Sequence, residues 1–247
     1  MNKKAQAKFL ESLRCTLSVS PRLEATLSLL RTIRASRILD IGCGDGSNSV
    51  LLGKQIGARE LWGIDISPKA VELSRSKGLH AFNVNVDEED LPFENGFFDV
   101  ITALEVVEHL YDPDRMMNEV RRVLRKGGRV VMSTLNLAWW LNRMVLVFGY
   151  QPFGTEVSTA DGRLGKLTYR QCTPVGHLRV FTRRAFHQFV NLHGFRVIQE
   201  KPASFSYARS LFCVIDSLLS RVPCLAFDVV YLLEARDVED VRRKSVR

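Results

Sequence analysis

The chain has 247 residues, of which 46% are hydrophobic, and a formal net charge of +8. That length and composition suffice for a proper core and suit one α/β domain over residues 1–247. The first residues are too polar for a signal-peptide core, and no stretch reaches the roughly 18 uncharged residues of a membrane span. We therefore expect a soluble, cytoplasmic protein.

The five cysteines are scattered, odd in number and without a CxxC pair. This pattern favours reduced thiols over a disulfide framework or a zinc site, and we expect no metal. The positive charge would attract nucleic acid, anionic lipid or an anionic substrate. It is dispersed apart from residues 121–129 and the basic tail 237–247, which we interpret as solvated surface, with a polyanion site as the alternative.

From Ser36 to Thr134, apolar β-branched runs alternate with helical periodicity, which is typical of βαβ units in a parallel sheet. An amino-terminal segment, 1–35, contains a helix opened by Ser20 and Pro21 that should cover this sheet. Within the core segment 36–135, the predicted strands are residues 37–41, 60–66, 80–86, 97–104 and 129–135. The predicted helices are residues 47–56, 67–78 and 112–126, the last ended by Gly127 and Gly128.

After the fifth strand the alternation stops. Residues 136–180 form an unusually long connection, rich in large apolar side chains, and such inserts are often functional lids or binding loops. The pattern resumes in residues 181–236, where Thr182 caps a helix ending at Gly194. A strand then starts at Phe195, and the last strand is predicted at 225–235.

The stretch RILDIGCGDGSNS places three alternating glycines after the first strand. Gly42, Gly44 and Gly46 let the backbone turn sharply and approach a ligand with no Cβ in the way. The helix that begins near Ser47 points its free N–H groups at the same place. The spacing differs from the GxGxxG of dinucleotide-binding proteins, and a tight turn without a ligand is the alternative.

Acidic residues after the next two strands indicate which nucleotide-like ligand is bound. Asp65 ends the second strand, where a carboxylate can accept hydrogen bonds from both ribose hydroxyls of NAD or S-adenosylmethionine. The segment VDEEDLPFENGFFDVI then offers an acceptor and apolar walls for an adenine ring, in Asp87 and the turn from Leu91 to Phe93.

In this order the motifs resemble those of the class I S-adenosylmethionine-dependent methyltransferases, in the broad group with the quinone-biosynthesis and small-molecule methyltransferases. ILDIGCGDG is similar to their first motif, and ALEVVEHLYDPDRMMNEVRRVLRKGGRVVMST to their fourth and fifth strands. The similarity covers Ile38 to Thr134. It implies an α/β, Rossmann-like, doubly wound sheet of seven strands in the order 3-2-1-4-5-7-6, the last antiparallel. Helices would cover both faces, with the apolar insert after strand five.

The resemblance also implies S-adenosylmethionine as cofactor. Asp40 and Gly42 would organise its methionine end, Asp65 would hold the ribose, and Asp87 and Glu88 would lie at the adenine. The end of the fourth strand would lie beside the reacting methyl. The expected cofactor-binding residues are Asp40, Gly42, Cys43, Gly44, Gly46, Asp65, Ile66, Asp87, Glu88, Ala103, Leu104 and Glu105.

Methyl transfer from a sulfonium is an in-line displacement, so the protein mainly aligns the reactants and excludes water. A general base is needed only if the acceptor must lose a proton. His109 and His177 are the candidates, because both fall where the ligand crevice should open. The alternative for each is a structural hydrogen bond. Tyr111 and Tyr169 are weaker candidates for substrate contact.

The insert must recognise the acceptor. Its large apolar residues either pack on the sheet as core or form a pocket or surface for an apolar acceptor: Trp139, Trp140, Met144, Phe148, Tyr150 and Phe153. We expect a small-molecule acceptor, apolar or lipid-linked, such as a quinone, a glycolipid or a sugar-containing metabolite, with peripheral membrane contact.

Three alternatives remain open. An RNA or protein methyltransferase would use the same fold, although ALEV stands where base-amino methyltransferases usually carry an Asn/Asp-Pro-Pro-aromatic tetrad. The others are a nicotinamide dehydrogenase and a non-catalytic protein that keeps the cofactor pocket.

Overall fold

The computed structural model describes residues 20–167, 173–205 and 211–236. Its strands are β1 (Arg37–Ile41), β2 (Glu60–Asp65), β3 (His80–Asn83), β4 (Phe98–Leu104), β5 (Leu124–Leu135), β6 (Phe195–Ala203) and β7 (Asp228–Ala235). Its α-helices are α1 (Pro21–Leu29), α2 (Ser47–Ile56), α3 (Pro68–Ser76), α4 (Pro113–Val123), α5 (Trp140–Val147), α6 (Arg183–Leu192) and α7 (Leu211–Leu219). Short 3-10 helices span Leu30–Thr32 and Val107–His109.

The strands form one seven-stranded sheet in the order β3-β2-β1-β4-β5-β7-β6. The first five pair in parallel, whereas β7 pairs antiparallel with both β5 and β6. This confirms the predicted topology. Because β1 pairs with β2 on one side and β4 on the other, the strand order reverses there, and a crevice opens at the carboxyl ends of these strands.

Alternate side chains of the central strands enter two separate cores. Leu39 and Ile101 pack on the face covered by α4, which contributes Met117. Ile38 packs on the opposite face with Leu27 of α1. Burying a side chain of this size contributes about 1.5–3 kcal/mol, so apolar residues on both faces hold the parallel strands between two helical layers.

The predicted end of the helix over 112–126 is wrong. Asp112 caps α4, but the helix ends at Val123, and Leu124 is extended with φ −76° and ψ 128°. Leu124 is buried and pairs with Phe98, so β5 begins there and runs through both glycines that were expected to end the helix. Strand pairing and burial at Leu124 therefore outweigh the helix-ending signal of Gly127 and Gly128.

The insert is fastened to the carboxy-terminal part of the chain through one carboxylate. Oδ1 of Asp216, on α7, accepts hydrogen bonds from the indole nitrogens of Trp139 and Trp140, each at 2.8 Å. Trp139 is fully buried, which agrees with the first of the two interpretations, packing as core, whereas Met144 and Phe148 of the same segment are exposed. The aromatic residues of the insert thus divide between core and surface.

Some expectations fall outside the described residues. They are the segment 1–19, Tyr169 and the basic tail from residue 237 onward. Within the described ranges, no helix has both the length and the apolar composition needed to cross a membrane.

Candidate functional site

The glycine turn between β1 and α2 depends on backbone that other residues rarely adopt. Gly42, Gly44 and Gly46 have φ values of +71°, +54° and +78°. The N–H groups of Gly42 and Cys43 donate to the carbonyl of Ile64 at 2.8 and 3.0 Å, which ties the turn to the end of β2. A left-handed conformation at three alternating positions explains why the turn needs glycine there.

The three glycines differ in what surrounds them. A Cβ on Gly42 would lie 2.7 Å from the side chain of Val106, and one on Gly46 would lie 2.9 Å from Ser74. A Cβ on Gly44 would meet no atom within 4 Å. Gly44 therefore presents bare backbone to open space, where a ligand can approach it closely.

Asp40 supports the turn from below. The hydroxyls of Ser49 and Thr102 donate to its two carboxylate oxygens at 2.5 and 2.6 Å, joining β1 to α2 and β4. Burial raises the pKa of Asp40 to about 6, against the lowering effect of these two hydrogen bonds. With both oxygens bonded inside the protein, Asp40 can act on a ligand by shaping the turn.

Cys43 also lies beneath the turn rather than facing it. Its thiol is buried, and burial raises its pKa to about 12. A Cβ on Gly63 of β2 would lie 2.8 Å from its Sγ, so the cysteine fills the space between the turn and β2. A thiol with this pKa is not a nucleophile at neutral pH.

Asp65 lies at the end of β2 with its carboxylate held by two main-chain donors. Oδ2 accepts the N–H of Gly44 at 2.9 Å, and Oδ1 accepts the N–H of Ser67 at 2.9 Å. Each oxygen keeps a lone pair for a further donor, so the carboxylate is oriented to accept two hydroxyls. The next side chain, Ile66, is 67% exposed and forms an apolar surface beside it.

The segment after β3 is held by the helix that follows β4. Oδ1 of Asp87 accepts the N–H of Asp112 at 2.9 Å, while Glu88 is exposed. The guanidinium of Arg122, on α4, donates to the carbonyls of Leu91 and Phe93 at 2.8 and 2.7 Å. The segment expected to bind adenine is thus a turn fixed by hydrogen bonds, and the second carboxylate oxygen of Asp87 is available to a ligand.

The end of β4 carries a strained residue. Ala103 is buried and Leu104 is partly buried, and Glu105 follows with a φ of +53°, the one positive φ among the described non-glycine residues. Its N–H donates to the carbonyl of Ser133 at 3.2 Å, and its carboxylate forms an ion pair with Arg22 of α1. Backbone strain of this kind costs about 1–3 kcal/mol and is concentrated at functional sites.

The two candidate histidines meet. His109 ends the 3-10 turn after β4, His177 lies near the end of the insert, and their ring centroids are 4.8 Å apart. Nδ1 of His109 bonds the carbonyl of Gly176 at 3.1 Å, and Nδ1 of His177 bonds that of Gly154 at 2.9 Å. Because a carbonyl oxygen only accepts, each Nδ1 carries the hydrogen and each Nε2 offers a lone pair.

Glu108 is a residue that the sequence analysis missed. It is fully buried, and neither of its carboxylate oxygens has a hydrogen-bond partner. Burial raises its pKa to about 8. A carboxylate oxygen of Glu108 and one ring nitrogen from each of His109 and His177 lie within 4.8 Å of one another. Such a group could hold a metal ion. The available signal was the acid immediately before His109.

The expected site residues therefore form two groups. The turn residues, Asp65 and the end of β4 lie together at the ends of three neighbouring strands, with Asp87 and Glu88 after β3 on one side. The histidines lie beyond β4 on the other side. Tyr111 is exposed, and its carbonyl accepts a hydrogen bond from Arg179 at 2.7 Å.

Known proteins share this architecture and sequence. A family model described as a methyltransferase domain matches residues 16–200. A ubiquinone biosynthesis O-methyltransferase of Xanthomonas oryzae is 37% identical over 171 residues, covering 66% of this chain and 66% of the relative. One of the same name from Xanthomonas euvesicatoria is 36% identical over 185 residues, covering 71% of this chain and 69% of the relative.

The match spans just under two thirds of the first relative's length. Among solved structures, an S-adenosylmethionine-dependent methyltransferase from Mesorhizobium loti is 18% identical with a TM-score of 0.60, covering 88% of this chain and 99% of that one. At that identity the likeness concerns the fold, and it agrees with the strand order found here. The family model and the two relatives together show that this chain belongs to the class I S-adenosylmethionine-dependent methyltransferases.

Proposed function

We propose that this chain transfers a methyl group from S-adenosylmethionine to a hydroxyl of an apolar, quinone-like small molecule. The observation that carries the proposal is the exposed backbone of Gly44 beside the oriented carboxylate of Asp65, at the reversal of strand order. The acceptor class follows the names of the relatives, which are ubiquinone biosynthesis O-methyltransferases.

Each part of the cofactor has a matching surface. The turn from Gly42 to Gly46 cradles the amino-acid part, and Asp65 accepts the ribose hydroxyls. Ile66 and the Leu91–Phe93 turn enclose the adenine ring, whose amino group donates to Asp87, with Glu88 at the rim. The methionine and its reacting methyl lie against the segment from Ala103 through Leu104 to Glu105.

The reaction needs alignment more than chemical assistance. The acceptor oxygen attacks the methyl carbon while the carbon–sulfur bond breaks. The electron pair of the broken bond stays on sulfur, which becomes neutral. The hydroxyl proton must leave, and the lone pairs of His109 and His177 lie on the acceptor side to receive it. Burial lowers the pKa of His177, which keeps this imidazole neutral and able to accept a proton.

The acceptor side also exposes an apolar surface. Val147 and Phe148, at the end of α5, are 79% and 70% exposed, and Met144 and Leu146 lie beside them in the sequence. Arg143 is the one charged residue in the sequence from 137 to 155. In this proposal the insert 136–180 rests on an anionic lipid surface and receives a lipid-linked acceptor from it, within one domain that includes the core 36–135.

Calorimetric titration tests the cofactor assignment. We expect S-adenosylmethionine and its demethylated product to bind the full chain, and NAD not to bind. Asp65→Ala should weaken binding at least about tenfold, because two charge-assisted hydrogen bonds are lost. Glu72→Ala, on the exposed side of α3, is the control and should bind as the unmodified chain does. Binding of NAD alone would refute the proposal.

Turnover tests the acceptor. We expect methylation of a catechol or quinol with an apolar tail, and none of RNA or protein. Binding of both cofactor forms without turnover of any acceptor would instead support a non-catalytic protein. Methylation of RNA or protein alone would contradict the proposed small-molecule acceptor and would show that the acceptor is a macromolecule.

Vesicle sedimentation tests the lipid contact. Phe148→Glu should reduce binding to anionic phosphatidylglycerol vesicles severalfold, because a charge enters the apolar surface. Leu192→Glu is the matched control, since Leu192 is 75% exposed on α6. Equal loss in both variants, or no vesicle binding by the unmodified chain, would contradict a specific contact through α5.

A further inference from the structure

A polar pocket of about 320 Å³ lies at the opposite end of the sheet from the glycine turn. It is lined by Arg34 and Arg59, which precede β1 and β2, and by Asp99 and Arg125, near the starts of β4 and β5. These strands are parallel, so their amino ends lie along one edge of the sheet and their carboxyl ends along the other. The pocket is therefore separate from the surfaces that the proposed function uses.

The basic run 121–129 supplies one arginine to this pocket and uses its other arginines elsewhere. Each of the others holds a different segment: Arg121 bonds the carbonyl of Arg236 at 2.6 Å, Arg122 the carboxylate of Glu119 at 2.7 Å, and Arg129 that of Glu234 at 2.7 Å. Arg125 lines the pocket, where the loops before β1 and β2 add Arg34 and Arg59. The pocket thus combines arginines from three segments that are distant in sequence.

Asp99 is the acid of the pocket, and both of its carboxylate oxygens are already bonded. Oδ2 accepts the N–H groups of Ser36 and Arg37 at 2.7 and 2.8 Å. Oδ1 forms an ion pair with Nε of Arg125 at 2.5 Å. Asp99 therefore balances one guanidinium and holds the loop before β1 in place.

The other two guanidinium groups have no acidic partner in the described part of the chain. Arg34 donates to the main-chain carbonyls of Arg31 and Ile33 at 3.2 and 2.8 Å. The side chain of Arg59 is exposed and bonds none of the described residues. Three guanidinium groups against one carboxylate leave two positive charges of the lining unbalanced.

Main-chain hydrogen bonds fix the two loops that carry these arginines. The N–H of Ala35 donates to the carbonyl of Ile56 at 3.4 Å, and the N–H of Arg59 donates to the carbonyl of Ser36 at 2.9 Å. The backbone beside each guanidinium is therefore held in place before any ligand binds. The entropy cost of binding is then confined to the arginine side chains.

We propose that this pocket binds the diphosphate group of a small phosphorylated molecule. The planar fork of a guanidinium matches pairs of phosphate oxygens, and each guanidinium here has more N–H groups than its present bonds use. Ligand pockets usually measure about 300–1,000 Å³, so this one is large enough for more than a single tetrahedral anion. Two adjoining phosphoryl groups offer oxygens to several arginines at once and carry the charge that balances them.

The composition of the pocket favours a small molecule over a nucleic acid. Single-stranded nucleic acids bind along grooves whose aromatic side chains stack with successive bases. None of the described residues that line this pocket is aromatic, and the three arginines surround one hollow instead of following a track. A nucleic acid would therefore find a single anchoring point here.

Calorimetric titration with inorganic pyrophosphate tests the site. We expect the full chain, at low ionic strength and without divalent cations, to bind one pyrophosphate. Sulfate should bind at least about tenfold more weakly, because it reaches fewer guanidinium groups. Arg34→Gln and Arg59→Gln should each weaken pyrophosphate binding at least about fivefold, because each removes charge-assisted hydrogen bonds.

Arg184→Gln is the matched control, because Arg184 is exposed on α6 and the variant makes the same change of charge. It should bind pyrophosphate as the unmodified chain does. Arg34 and Arg59 are also exposed, so thermal unfolding should show that all three variants fold like the unmodified chain. Neither S-adenosylmethionine binding nor turnover enters these measurements, so their result is independent of the proposed function.

The outcomes distinguish the possible ligands. Absence of pyrophosphate binding, or equal weakening in all three variants, would overturn the site. Equal affinity for sulfate would overturn the diphosphate assignment, and tighter binding of a single-stranded RNA that is lost in the same variants would overturn the small-molecule assignment. Binding of ADP that is lost in Arg34→Gln and Arg59→Gln would support an esterified diphosphate, whereas pyrophosphate binding without ADP binding would support the free ion.

Discussion

The buried carboxylate of Asp40 makes the stability of this chain depend on pH in a direction that can be calculated. Its pKa rises from 3.8 to about 6 on folding, because burial disfavours the charged form. A pKa difference of one corresponds to about 1.4 kcal/mol, so ionised Asp40 destabilises the folded chain by about 3 kcal/mol. The stability associated with protonated Asp40 is fully present below pH 3.8 and is lost as the pH rises through 6.

Asp40→Asn removes this ionisation while keeping the shape of the side chain. The hydroxyls of Ser49 and Thr102 can rotate so that one donates to the new amide and the other accepts from it. We expect the unmodified chain to lose about 2.4 kcal/mol relative to the variant between pH 4 and pH 7, because part of the loss occurs below pH 4. Above pH 7 the difference between the two should be constant.

Urea unfolding of the cofactor-free chain measures this difference, since other titrating groups cancel between the two proteins. Glu72→Gln makes the same acid-to-amide change at an exposed position of α3 and is the matched control. A difference for Asp40→Asn that stays flat between pH 4 and pH 7 would refute the reasoning.

Two further predictions concern the turn and the core. Gly44→Ala and Gly57→Ala both place a Cβ in open space at positive φ, so each should cost about 1 kcal/mol in urea unfolding. Calorimetry should show at least about tenfold weaker S-adenosylmethionine binding for Gly44→Ala alone, and equal weakening in both would contradict the placement of the cofactor. Met117→Ala should cost about 2–5 kcal/mol, because Met117 is fully buried against the sheet. A cost below 1 kcal/mol would contradict the described packing of α4.

The elements that carry the expected cofactor-binding residues could be predicted from the sequence, because their determinants are local. The glycines follow β1 directly, Asp65 ends β2, and Ser67 caps α3, so each role depends on a few neighbouring residues. All seven strands and their order follow from the alternation of apolar runs and from the family resemblance. The end of α4 was not predictable from local signals, because Leu124 pairs with Phe98, which is 26 residues earlier in the chain.

The residues that the proposed function places near the acceptor could be predicted only in part. His109 and His177 were candidates by residue type, but their contact joins positions 68 residues apart. Glu108 was missed because an acid between a predicted strand and a predicted helix is usually exposed, whereas the structure buries it. The burial of Trp139 likewise depends on a hydrogen bond to Asp216, which is distant in sequence.

A substitution in the glycine turn should have little effect on the insert, and a substitution in the insert should have little effect on the turn. The glycine turn is bonded to β2 and α2, whereas the insert is held by the carboxylate of Asp216 on α7 and by the carbonyl of Glu108. Within the insert, the carboxylate of Glu156 accepts the N–H groups of Val175 and Gly176. Sites with no shared partners usually contribute additively. In the proposed function, the insert can therefore change to fit another acceptor while the surface expected to bind the cofactor stays intact. Arg22 connects the two regions, because its guanidinium forms ion pairs with Glu105, at the end of β4 where the methyl donor is expected, and with buried Asp228 of β7.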